Sequence, residues 1–211
     1  MTFNAFSIGR KALTAVALCA ASLGAQAAIV TDTNSTIGSF DASSGTRTFN
    51  LVGSSIIDVN ISIDFAKCDD PVLNPGSMAC IGGGFSFNRE IEFILESPTG
   101  TLVNLVLQDT YSGQTPGDRV VVDFDDEAGS AVGGPVLLSG AFRPVGLLSA
   151  FDGENATGVW TLRIRDTVGL DPLTFFSATL NVELPEPGSL ALAGLALAGL
   201  GLGAARRRAL R

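Results

Sequence analysis

The run Ile56-Ile57-Asp58-Val59-Asn60-Ile61-Ser62-Ile63-Asp64-Phe65 alternates apolar and polar residues with a period of two. Extended backbone sends successive side chains to opposite faces. Ile57, Val59, Ile61, Ile63 and Phe65 therefore share one face, and Asp58, Asn60, Ser62 and Asp64 the other, the signature of a half-buried strand. Runs of the same kind recur at 90–96, 101–108, 119–124, 159–165 and 173–184. Between them lie Ser97-Pro98-Thr99-Gly100, Ser112-Gly113, Pro116-Gly117-Asp118 and Asp152-Gly153, all turn chemistry. No stretch of 28–184 keeps a 3.6-residue apolar period over three turns. Many short strands joined by such turns predict an all-β fold, a jelly-roll-like β-sandwich. No internal repeat points to a solenoid or propeller.

The two ends of the chain read differently. Arg10 and Lys11 precede an apolar stretch from Ala12 to Leu23, followed by Ala25-Gln26-Ala27. A basic region, a short apolar core and an Ala-x-Ala site predict a secretory signal peptide over 1–27. At the other end, Pro185-Glu186-Pro187 leads into 18 uncharged residues from Gly188 to Ala205, then Arg206, Arg207 and Arg208. Eighteen apolar residues just suffice for a membrane span, and the arginines predict a cytoplasmic terminus. The order over 185–211 resembles the PEP-CTERM sorting tail of Gram-negative bacteria, which an exosortase in the membrane reads. That resemblance implies an exported, inner-membrane-anchored precursor, cut at or near the Pro-Glu-Pro motif and passed to the cell surface or exterior. It also implies an association with exopolysaccharide and biofilm.

Seven basic residues face 20 acidic ones within 28–184. So negative a surface repels phosphate backbones, which excludes a nucleic-acid partner. Cys19 leaves with the signal peptide, and Cys68 and Cys80 remain as an even pair in an oxidising compartment, predicting a disulfide. A metal site is the rival reading, a poor one with no histidine in the chain.

A second resemblance runs from about 50 to 183. Asp58-Val59-Asn60-Ile61-Ser62-Ile63, Ser97-Pro98-Thr99-Gly100-Thr101 and Phe124-Asp125-Asp126-Glu127-Ala128 follow one another in the chain. Pro144, Leu148-Ser149-Ala150-Phe151-Asp152-Gly153, Gly158-Val159-Trp160-Thr161-Leu162 and Asp166 come next, with 173–182 as a closing strand. This order resembles the P domain (P/Homo B), the jelly-roll module that follows the protease domain in proprotein convertases and many bacterial subtilisin-like proteases. The family usually carries a His-Thr pair and a Gly-Asp-Leu turn ahead of Ser-Pro-x-Gly-Thr, and a Trp where Phe176 stands. Here there is no histidine, and the Cys68–Cys80 loop is inserted nearby. The domain is thus expected at 50–184, with 28–49 as a lead segment.

The absence of histidine excludes Ser-His-Asp and Cys-His nucleophiles, and no Gly-x-Ser-x-Gly elbow or phosphate loop is present. The chain is expected not to be an enzyme. Asp123, Asp125, Asp126 and Asp152 are the candidate metal ligands; Glu127 stands with the first three at one strand end, and Asp152 and Asp166 fall in turns of the same domain. Hard oxygen groups of this kind suit calcium, while a solvated acidic rim is the alternative. Trp160 alternates with Leu162 and Ile164 and is expected in the core, although Trp160 and Tyr111 are also the residues a carbohydrate-binding module would stack on sugars. The expected function is that of a non-catalytic surface or matrix protein sorted by an exosortase, with a polysaccharide or a surface protein as partner. The alternatives are a carbohydrate-binding module and an accessory that stabilises a subtilisin-like protease.

Overall fold

The computed structural model describes residues 27–69, 84–115 and 119–186. They form twelve strands: β1 Ala28–Asn34, β2 Gly38–Phe40, β3 Ser44–Leu51, β4 Asp58–Lys67, β5 Ser86–Phe87, β6 Ile91–Glu96, β7 Leu102–Val106, β8 Gln114–Thr115, β9 Arg119–Phe124, β10 Gly140–Phe142, β11 Gly158–Asp166 and β12 Leu173–Leu184. Two short 3-10 turns, Asn88–Glu90 and Leu148–Phe151, are the only helical pieces among the described residues. One main sheet runs β1-β12-β4-β9-β10, with β2 also on β12, the second β3-β11-β6-β7, and β5 and β8 form a small two-stranded sheet. Apart from the parallel β9–β10 pair, neighbouring strands are antiparallel. The protein is an all-β sandwich.

The alternation seen in the sequence is what holds the sheets together. Val59, Ile61, Ile63 and Phe65 of β4 are buried, as are Ile91, Phe93 and Leu95 of β6 and Trp160, Leu162 and Ile164 of β11. Phe65 meets Phe93 edge to face across the two sheets, ring centres 5.0 Å apart, a favourable quadrupole geometry. Ile57 departs from the expected stripe: β4 begins at Asp58, and Ile57 lies outside it, 46% exposed.

The segment 28–49, expected as a lead-in, supplies β1, β2 and most of β3 to the two sheets. β1 closes an edge on β12 in a register that sets Ala28 opposite Leu184. Thr31 and Thr33 bond Asn181 and Thr179 on the outer side, cross-strand pairs that suit a polar sheet edge. Phe176, where the family carries Trp, lies off the main core. The β12–β4 register slips between Phe175 and Ser177, and this bulge turns Phe176 away from the main core. It packs instead on Ala66 and Cys68, with the Arg119 guanidinium 3.9 Å over its ring.

The signal peptide, Cys80, Pro187, the apolar tail and Arg206, Arg207 and Arg208 lie outside the described residues. Among the described residues no helix is long and apolar enough to cross a membrane.

Candidate functional site

Because β6 and β11 are antiparallel, the end of β6 and the start of β11 lie together, and the motifs of the P-domain resemblance gather there. Ser97 closes its turn with backbone bonds to Thr101 and Gly100, and Gly100 takes φ +92, a conformation that glycine adopts freely. Glu154 reaches in from the neighbouring loop. Its carboxylate accepts from Thr99 Oγ1 at 2.6 Å and from Thr101 Oγ1. Burial disfavours the charge on Glu154, but these hydroxyl bonds outweigh it and hold the pKa below the ordinary glutamate value. Gly158 sits at φ +139, and a Cβ there would meet Pro98 at 2.7 Å, so two motif residues fit only because one is glycine. Trp160 is fully buried. Its Nε1 donates to the Ala156 carbonyl at 3.1 Å, and Phe151 meets it edge to face at 5.0 Å. Tyr111 is 3% exposed. Neither ring offers a face to a sugar.

The predicted acidic residues come together only in part. Asp126 accepts the backbone N–H groups of Leu148 and Ser149, both at 2.9 Å, and so caps the 3-10 turn beneath Trp160. Asp125 accepts the N–H of Glu127 at 2.7 Å, a local turn bond. Asp123 is on the outer face of β9, and Asp152 is exposed in its turn. Asp58, not a predicted ligand, completes the corner. Burial and then the nearby Asp125 and Asp126 charges push its carboxyl up, and burial with Asp58 and Asp126 does the same to Asp152. Among the described residues no group of three or more carboxylate or thiol side chains is arranged to hold a metal ion. Asp123, Asp125, Asp126 and Asp152, the candidate calcium ligands, form no such group. The two that converge spend their oxygens on turn amides instead.

The opposite end holds the cluster that the sequence reading missed. Lys67, the last residue of β4, is fully buried. Its Nζ lies 2.7 Å from Asp166 Oδ2, 2.9 Å from Glu90 Oε2 and 3.3 Å from Asp171 Oδ2, and also donates to the Asp171 carbonyl. All three acids are buried. Asp166 ends β11, Glu90 ends the 3-10 turn before β6, and Asp171 lies in the loop before β12, so both sheets meet here. Backbone amides fix the acids as well: Leu173 N–H to Asp166 Oδ2 at 3.0 Å, Val168 N–H to Asp166 Oδ1 at 3.2 Å, and Phe87 N–H to Asp171 Oδ2. Burial opposes the charge on Lys67, but its bonds to Asp166 and Glu90 prevail and raise its pKa. Burial likewise raises Glu90 and Asp166 above ordinary carboxyl values, against the pull of Lys67. The signal for this cluster lies in the alternation itself, since Lys67 continues the inward stripe 59-61-63-65 and Asp166 the stripe 160-162-164.

A third surface is the outer face of the β3-β11-β6-β7 sheet, a shallow groove of about 590 Å³ lined by Thr46, Glu92, Glu96, Thr161, Arg163 and Arg165 among others. Arg163 pairs with Glu96 at 2.6 Å and Arg165 with Glu92 at 3.2 Å. Exposed pairs of this kind contribute little to stability.

No curated protein matches the chain. Among solved structures it is similar to the infectious bursal disease virus Gx strain structure, with 11% identity, 76% of this chain and 32% of that one covered, and a TM-score of 0.32. For the Gt strain structure of the same virus the values are 11%, 82%, 50% and 0.23. The chain thus spans a third to a half of the length of these two. A family model, the proprotein convertase P-domain, matches residues 85–182. The match runs from just before β5 into β12, and takes in the Ser97–Thr101 turn, Trp160 and the whole loop containing Asp166 and Asp171.

Proposed function

We propose that the chain is an exported, non-catalytic P-domain-like module, processed at Pro185-Glu186-Pro187 by an exosortase and delivered to the cell surface or the extracellular matrix, where exopolysaccharide or a surface protein is its partner. The observation that carries this reading is where the sandwich stops. β12 ends at Leu184, and Pro185 follows at once, exposed and outside the sheet. Proline fixes φ and has no N–H to donate, so Pro185 does not continue the ladder. The pairing of Ala28 with Leu184 adds support, since both termini of the mature domain leave by one corner and suit a single membrane-facing side. A Cys68–Cys80 disulfide belongs to the same proposal: Cys68 is buried, and an oxidising compartment favours its pairing. Intact mass and localisation of the native protein, with and without the exosortase, test it. The expected mature form begins near Ala28 and ends near the motif; one that still ends at Arg211 in the presence of the enzyme contradicts the proposal.

The family match over 85–182 favours one further reading, an accessory that steadies a subtilisin-like protease. Co-purification with such an enzyme, and loss of the enzyme's stability without this chain, would select it over the matrix role.

A further inference from the structure

The cluster at Lys67 holds more than an ion pair needs. One ammonium requires one carboxylate; here three surround it, all buried, and two surplus buried charges are costly unless a proton neutralises them. Asp166 is held fixed beside the amine. Nζ lies 2.7 Å from Oδ2, and each carboxylate oxygen is fixed by its own backbone amide. A second carboxyl, Glu90, touches the same nitrogen at 2.9 Å. We propose that Lys67 and Asp166 join in an intramolecular amide bond across the two sheets, with Glu90 carrying the proton.

The step balances without any oxidant or co-reactant. Glu90 takes a proton from Nζ, and the freed lone pair attacks Asp166 Cγ. Negative charge develops on Oδ1, which the Val168 N–H faces, in the manner of an oxyanion held by a preset donor. Glu90 returns its proton to Oδ2, the C–O bond breaks, and Nζ gives up a second proton to the same oxygen. One C–N bond forms, one C–O bond breaks and one water leaves; the positive and negative charges of the pair disappear together. Burial raises the Glu90 pKa and a hydrogen bond with Asp171 favours its protonated form, which works against the raised pKa of the Lys67 ammonium that gives up the proton. Holding amine and carboxyl in contact replaces a bimolecular encounter, and the buried site keeps water from reversing the bond. Asp171 serves as positioner: its carbonyl accepts from Nζ, while its carboxylate, farther away at 3.3 Å, is tied to Phe87 N–H.

The test is peptide mapping of the full chain after reduction and alkylation, so that no disulfide can join fragments. Trypsin is expected not to cut after Lys67, and tandem mass spectrometry to find a branched peptide that joins the Lys67 and Asp166 segments, one water lighter than their sum. Recovery of linear peptides ending at Lys67 as the main product overturns the proposal, as does a branch placed on Asp171 or Glu90. In Glu90→Gln, with sheet content and melting measured to show that it folds, linear peptides are expected. A bond formed as completely as in the parent chain overturns the role of Glu90.

Discussion

The two ends of the sandwich solve the same problem, an excess of carboxylates, in opposite ways. At the motif end the acids stay near water and spend their oxygens on backbone N–H groups and hydroxyls: Asp126 on Leu148 and Ser149, Asp125 on Glu127, Glu154 on Thr99 and Thr101. At the far end Glu90, Asp166 and Asp171 are buried around one lysine. The difference teaches that the acids are satisfied locally at one end and by one buried cation from another strand at the other. The family match over 85–182 takes in both ends, since Glu90, Asp166 and Asp171 lie within it and only Lys67 lies outside.

The largest effect should come from the lysine. Lys67→Met removes the amine, and with it the proposed cross-link, and leaves three buried carboxyls uncompensated, which should cost about 3–5 kcal/mol in denaturant unfolding at neutral pH. The deficit should narrow on mild acidification as those carboxyls take up protons. A loss under about 1 kcal/mol would mean that water reaches the cluster and that the two ends are alike. Trp160→Ala, which empties the main anchor at the motif end, should cost about 3–5 kcal/mol by the same measurement. A near-neutral result would place that ring at the surface and break the structural reading of the motif.

Two smaller tests probe the motif end by pH. Glu154 has a depressed pKa, so its contribution is present above the ordinary glutamate range and lost as pH falls through its folded value. Glu154→Gln should therefore lower stability by about 1 kcal/mol at neutral pH, with melting curves of the two proteins converging in acid. Asp58 behaves in reverse. Its raised pKa means that the ionised form opposes folding, so Asp58→Asn should gain a few tenths of a kcal/mol, up to about 1, at neutral pH. That gain should vanish once acid protonates the parent. A loss at every pH would instead give the bond from Asn60 Nδ2 to Asp58 Oδ2, 2.7 Å long, the dominant role.

Much of this architecture was legible from period two alone. β9 and β12 fall on their expected spans, and β4, β6, β7 and β11 differ from theirs by up to two residues at an end. β1 and β3 were not legible, because β1 is an edge strand with no buried residue, its Ile29 exposed, and only the second half of β3, Phe49 and Leu51, is buried. The alternation at β4 and β11 was read to its last apolar residue and stopped there. Continued by one more step on each strand, it names Lys67 and Asp166 as inward-facing. Their company is another matter: Glu90 and Asp171 lie in turns, where no period applies, and only the tertiary fold brings them in. The acids of 123–127 misled for the opposite reason. They are close in sequence, but in β9 alternate residues face opposite ways, and the turn that follows consumes the rest.

The pairing of the first strand with the last has a mechanical corollary. Were the processed C-terminus fixed to an acceptor, tension would enter at Leu184 and pass along β12, which is laced to β1 from Ala28 to Asn34 on one side and to β4 from Asp58 to Lys67 on the other. In antiparallel ladders the bonds run crosswise to such a pull, so the strand is loaded in shear, many bonds at once, and does not peel open one bond at a time. The tether point is thus built into the sheet's most braced member.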